Sequence, residues 1–288
     1  MKLCKIIAVT ALTAYATATT ARAETSTECT PNALCYCVQN DLKSVIATRV
    51  DEIRTRISAQ RQQGKAIGYL SIPISTIQGS YLPVNVKIAA QTKERVEERF
   101  GPRSLWLLNT AAKEFSLPGT AKGEDYMLMW TRVLEGSDGF GRDFDFIYFA
   151  GPSDFAQYFS FDGRADLEKL ERFYDGLAKT DSKLAEIKKT DFRNYYGLRA
   201  SVAFSFGSHD EWNIVRTINA KRTAKKDGED AFGIAKQIAV MFNGTSVAPG
   251  LFDAPTATGN EGQCVNRLAN LTPHRRPILT PLRGGVCW

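Results

Sequence analysis

No cysteine lies between Cys37 and Cys264, and histidine occurs only at 209 and 274. After the first two dozen residues, no apolar run approaches the ~20 residues that cross a bilayer. The cysteine gap leaves the body of the chain nothing to staple it internally. The run lengths predict that the mature chain does not span a membrane. The phosphate-cradling fingerprints G-x-G-x-x-G after a strand and G-x-x-x-x-G-K-[ST] are missing, as are G-x-S-x-G and H-E-x-x-H. These absences disfavour dinucleotide and P-loop binding, elbow-type serine hydrolysis and zincin proteolysis. The pattern calls for no cofactor and no metal. Gly136 to Gly141 has glycines and acids nearby, but it precedes a strand pattern and lacks EF-hand spacing, so it reads as a surface turn.

The start of the chain reads as an export signal. Lys2 and Lys5 precede an apolar stretch from Ile6 to about Ala18, and Ala21-Arg22-Ala23 offers a small-x-small cleavage site. Residues 1–23 are therefore expected to be removed, and the mature chain to be secreted or periplasmic. Losing Lys2, Lys5 and Arg22 lowers the formal charge of +6 by three. The small remainder is no nucleic-acid footprint, so no nucleic-acid partner is expected.

The remaining cysteines are Cys29, Cys35, Cys37, Cys264 and Cys287. In an oxidising compartment, three near one end and two near the other suggest disulfides that tie the termini together. A zinc site is the alternative, but Cys35-x-Cys37 lacks C-x-x-C spacing and neither histidine is near it. Five is an odd number, so one thiol stays free or pairs with another molecule. The connectivity stays open.

The body alternates strand and helix. Val45, Ile46, Val50, Ile53 and Ile57 recur at helical spacing within 40–62. Short apolar runs predict buried strands at 66–74, 104–109, 144–150 and 200–206. Helices are predicted at 84–100, 124–134, 166–177, 183–189, 210–222 and 232–242. The predicted fold is α/β: an open, mostly parallel sheet with helices on both faces, Rossmann-like, followed by an irregular, disulfide-held C-terminal tail. Its segments are the signal at 1–23, a Cys-containing segment and helix at 24–64, the α/β domain at 65–244 and the tail at 245–288.

Ligands of open parallel sheets bind beyond the carboxyl ends of the strands. That rule selects Ser71 and Ser75 on the first strand, Asn109 on the second, and Gly151, Ser153 and Asp154 after the third. It also selects His209, beside Asp210 and Glu211, after the fourth. Each carries a turn former or a small polar group, so capping is the competing role for each. His209 is a candidate general base that a neighbouring carboxylate would orient. Tyr148, Phe149, Phe155, Tyr158, Phe159 and Phe161 crowd the third strand's end as a candidate stacking lip, with core packing as the alternative.

The order of pieces over residues 66–178 resembles the nucleoside 2-deoxyribosyltransferase-like superfamily. The residues that carry the resemblance are Tyr69-Leu-Ser-Ile-Pro-Ile-Ser75, Leu107-Leu108-Asn109, Asp125-Tyr126-Met-Leu-Met-Trp130 and Asp145-Phe-Ile-Tyr-Phe-Ala-Gly-Pro152. It implies cleavage or transfer of an N-ribosyl bond of a nucleoside, nucleotide or NAD. Glu168 would be the attacking carboxylate, Asp154 would lie near the sugar, and Tyr69 and Ser71 would line the edge. The alternative for Glu168 and Glu171 is the solvated face of a helix. A second function class is a non-catalytic, secreted ligand-binding or interaction protein on the same scaffold. A small-molecule ligand is possible in either class; in the second the aromatic cluster could instead be a surface for a protein partner, whose identity stays open.

Overall fold

The computed structural model describes residues 24–74, 78–199, 205–224, 237–257 and 259–264. The proposed signal segment 1–23, Ser75, Cys287 and most of the tail lie outside these residues.

The first described elements are a hairpin, β1 (Thr25–Cys29) and β2 (Cys35–Gln39), paired antiparallel so that Cys29 faces Cys35. Those two cysteines are disulfide-bonded, and Cys37 is bonded to Cys264. The hairpin adds to the sequence reading. Its Thr, Ser, Glu and Cys residues give no apolar alternation, because only the β2 side packs inward, through Tyr36 and Val38.

Helix α1 (Lys43–Gln62) buries Ile46, Val50, Ile53 and Ile57 on one stripe. Gly64, at φ +78°, lets the chain turn out of the helix. Strand β3 (Ala66–Ser71) follows, then α2 (Leu82–Phe100), β4 (Leu105–Asn109), α3 (Gly123–Glu135) and β5 (Phe146–Phe149). Four helices come next: α4 (Pro152–Tyr158), α5 (Asp166–Ala178), α6 (Ser182–Ala185) and α7 (Lys189–Asn194). They are followed by α8 (Phe206–Thr223), β6 (Ala239–Phe242), β7 (Thr245–Ser246) and α9 (Pro249–Phe252).

The main sheet runs β4-β3-β5-β6-β7. The first four are mutually parallel, and β7 returns antiparallel against β6. Alternate strand residues feed two cores. Ile67, Tyr69, Leu108, Ile147, Phe149 and Val240 face α1, α3, α8 and the hairpin. Leu70, Ile72, Leu107, Phe146 and Tyr148 face α2 and α4–α7. Helices thus cover both faces of a largely parallel sheet, as predicted. Strand β3, between β4 and β5, fits only because residue 68 is glycine: a Cβ there would lie 2.1 Å from the Phe146 ring and 2.7 Å from a Leu107 methyl.

Two assignments are corrected. The pattern predicts the fourth strand over 200–206, but Ser205 and Phe206 open α8, where the Ser205 hydroxyl accepts the Ser208 N–H at 3.2 Å. Residues 200–204 lie outside the described set. The place beside β5 belongs to β6, within the segment 232–242 that spacing assigned to a helix. Four apolar residues, Ala-Val-Met-Phe, satisfy either period, and pairing with β5 decides for strand. The six aromatics near the end of β5 also form no lip. Tyr148, Phe149, Phe155 and Phe159 are buried, and Tyr158 and Phe161 are partly so. Phe159 packs edge-on against Phe173 and Tyr196 in the core under α5 and α7.

The irregular segment after α9 is strapped to the body. Asp210 on α8 accepts the backbone N–H of Gly259 (2.8 Å) and of Asn260 (3.0 Å), and the Asn260 side-chain amide (2.8 Å). Asn213 exchanges hydrogen bonds with Thr256, and Gly262 N donates to Cys35 O at 2.8 Å. The Cys37–Cys264 bond closes this strap onto β2. It joins residues 227 apart. In the chain-entropy picture a loop of that length is worth on the order of 5 kcal/mol.

Candidate functional site: a buried carboxyl under an apolar cleft

Strand β3 sends the chain to α2 on one face of the sheet, and β4 sends it to α3 on the other. Between such diverging connections a crevice opens at the carboxyl edge. The structure has a cleft of about 670 Å³ there. Ile72 and Ile74 after β3 line it, as do Leu82, Pro83, Val86 and Lys87 at the start of α2 and Thr110 to Lys113 after β4. Tyr126, Met127 and Trp130 of α3, Ser205 to Ser208 at the start of α8, and Asn260 of the strap complete most of the wall.

Among the described residues Glu211 is the single acid in that lining, and it is buried. The Tyr69 hydroxyl donates to its Oε1 at 2.5 Å, and the Ser71 hydroxyl donates to its Oε2. Tyr69 is itself held edge-on by Trp130 (5.9 Å) and Phe144 (5.6 Å). Local sequence explains the convergence. Tyr69 and Ser71 are two apart on β3, so both point to the face that α8 covers. Ser205 caps α8, and Glu211 then falls on the helix's inward stripe with Ile214, Val215 and Ile218. Burial raises the Glu211 carboxyl from 4.5 to about 7, against the opposing pull of the Ser71 and Tyr69 hydroxyls. Burial, with the neighbouring Glu211, also pushes the Tyr69 phenol well above its usual value, so it stays a donor. A carboxyl poised near neutrality in an apolar cleft can hold or deliver a proton.

The structure thus brings together Tyr69 and Ser71, and adds Glu211, which the sequence reading treated only as a neighbour of His209. A signal for Glu211 exists in the sequence: a carboxylate occupies a position where the 211-214-215-218 spacing calls for an apolar side chain. Asn109 is buried next to the cleft wall, where its Oδ1 accepts the Ala111 N–H at 3.0 Å.

The other candidates lie elsewhere. Gly151, Ser153 and Asp154 are absent from the cleft lining and build the start of α4. Asp154 accepts the Gly151 N–H at 2.7 Å and the Tyr148 hydroxyl at 3.0 Å, and it pairs with Arg95. Burial pushes its carboxyl up, opposed by the Gly151 N–H and by Arg95. Ser153 N donates to Asn243 Oδ1 at 2.6 Å. His209 is half-buried on the strap side, where its carbonyl accepts the Thr256 hydroxyl at 3.1 Å. Glu168 is exposed on α5, 3.7 Å from Arg172, and Glu171 pairs with Arg193.

No family model, curated protein or solved structure matches the chain. Among the described residues no helix is long and apolar enough to cross a membrane, and no cluster of three or more His, Cys, Asp or Glu could hold a metal.

Proposed function

We propose that the mature chain works outside the cytoplasm, secreted or periplasmic, as a small-molecule-binding protein whose site is the Glu211 cleft. One observation carries this reading: a mostly apolar cleft of about 670 Å³, a size suited to a small ligand, ends on one buried, hydrogen-bonded carboxyl. The two disulfides agree with an oxidising compartment. The test is a thermal-shift and calorimetric screen of the oxidised chain with nucleosides, nucleotides, NAD and apolar acids, amines and alcohols. Binding should occur at one site and be lost in the cleft-filling variants Ala111→Trp and Val86→Trp. Binding that both variants leave intact would place the site elsewhere and end this reading.

A second reading keeps the N-ribosyl chemistry implied by the nucleoside 2-deoxyribosyltransferase-like resemblance. It is favoured by the placement of Glu211 beside Tyr69 and Ser71 at the carboxyl end of the first parallel strand, with Tyr126 and Trp130 nearby to take a flat base. On this reading Glu211 supplies the carboxyl in place of Glu168. Release of free base from a nucleoside and NAD panel should then be lost in Glu211→Gln and kept in Glu168→Ala. A wild-type chain that releases no base removes this reading and leaves the binding reading intact.

A further inference from the structure

Charge and apolar surface are separated around this cleft. Lys87 on α2 and Lys113 after β4 both line it and are exposed, and neither forms an ion pair among the described residues. Their ammonium groups are thus left for a ligand, unlike those of Lys93, Lys169 and Lys189, which pair with Glu97, Asp162 and Asp175. Being unpaired is common to other surface lysines, and what sets Lys87 and Lys113 apart is their place on one cleft. The lip also carries Leu82 and Phe206, which are 52% and 62% exposed. Large apolar side chains are seldom left so open without a use when they gather at one opening. Beneath the lip, Ile72, Val86, Met127 and Trp130 make an apolar wall, and Glu211, the one acid of the lining among the described residues, is buried.

The opening is therefore cationic and the interior apolar. Helices α2, α3 and α8 all contribute residues of their first turns to the wall, and their N-terminal ends add positive partial charge. Among the described residues the basic side chains of the lining are both lysines, Lys87 and Lys113, which present compact ammonium groups rather than the planar fork of an arginine.

We infer that the cleft takes an amphiphilic monoanion: a carboxylic acid whose apolar body lies against Val86, Met127 and Trp130 and whose carboxylate meets Lys87 and Lys113. This rests on the reading of the cleft as a ligand site and adds the ligand's class. The body supplies affinity through buried apolar area, and the head supplies selectivity over neutral and cationic chains of equal length. The lysines are exposed, so their share is screened by salt.

The test is calorimetric titration of the full oxidised chain with decanoate, decan-1-ol and decylamine. Decanoate should bind at one site, and the alcohol and amine at least about tenfold more weakly at low salt. The double variant Lys87→Gln/Lys113→Gln should keep the wild-type thermal midpoint and bring decanoate down to the level of the alcohol. High salt should do the same in the wild type. Equal binding of all three ligands overturns the inference, as does a double variant that binds decanoate like the wild type. If none of the three binds, but a nucleoside or another panel ligand does and Ala111→Trp or Val86→Trp abolishes it, the inference fails while the cleft remains a ligand site. If nothing in either set binds, both fall.

Discussion

Tyr69 and Glu211 are 142 positions apart in the chain and meet at 2.5 Å, phenol to carboxyl, inside the protein. The contact joins β3 to α8 and positions the carboxyl under the cleft. Replacing Tyr69 with Phe keeps the ring and its packing on Trp130 and Phe144 but leaves Oε1 of Glu211 without its donor. Losing a hydrogen bond to a buried charged group should cost about 1–3 kcal/mol at pH 8. At pH 5 the carboxyl is protonated and the loss should be smaller. Urea unfolding at the two pH values measures it, and an equal loss at both would show that the contact does not depend on the carboxyl's charge.

The raised Glu211 carboxyl also sets the sign of a pH effect. Below about 4.5 it is protonated whether the chain is folded or not. Between 4.5 and about 7 the folded chain keeps a proton that the unfolded chain has released, so stability falls as pH rises through that window. At about 1.4 kcal/mol per pH unit the contribution is about 3 kcal/mol. Burial raises Asp210, Glu135 and Asp143 too, so the wild-type slope alone is not specific to Glu211. The comparison with Glu211→Gln is specific. The variant should gain on the wild type by about that amount between pH 4.5 and 7.5, and a gap that stays constant would contradict the assignment.

The parallel core of the fold is visible in the sequence because burial on both faces forces short, continuous apolar runs. Ile67 to Ser71, Leu105 to Asn109 and Phe146 to Phe149 stand out for that reason. The first hairpin does not, because disulfides and one inward face hold it in place of two buried faces. Strand β6 does not, because four residues cannot distinguish the strand period from the helix period. Half of the site was likewise readable. Ser71 follows from the carboxyl-edge rule and Tyr69 from the resemblance, whereas Glu211 is reached only by asking why α8 breaks its apolar stripe with an acid. The resemblance pointed to Glu168, and the structure puts that side chain in solvent.

Gly68 tests how tightly β3 is packed between β4 and β5. A Cβ there would overlap Phe146 at 2.1 Å and Leu107 at 2.7 Å, with the neighbouring strands on both sides preventing relief. Gly68→Ala should destabilise by about 1–3 kcal/mol, the usual cost of overpacking. The shift in urea midpoint at unchanged m-value measures it. A midpoint like that of the wild type would show that the sheet can open without penalty at this position.

The strap links redox state to the cleft. Asp210 holds Gly259 and Asn260, Asn260 lines the cleft, and four residues further on Cys264 is bonded to Cys37. Opening that disulfide leaves the strap held at its far end only by the hydrogen bonds of Gly262 N to Cys35 O and Cys264 N to Thr27 Oγ1, while the contacts to Asp210 remain. Cys37→Ser/Cys264→Ser should therefore lose stability, by up to about 5 kcal/mol if the chain-entropy term is fully expressed. It should also bind cleft ligands more weakly, because on its far side Asn260 is then pinned by hydrogen bonds alone. Asp210→Asn in the oxidised chain removes the nearer anchor and should weaken ligand binding with a smaller loss of stability. Denaturant titration gives the first quantity and calorimetry the second. Ligand affinity unchanged in both variants would mean that the strap closes the molecule without shaping the site.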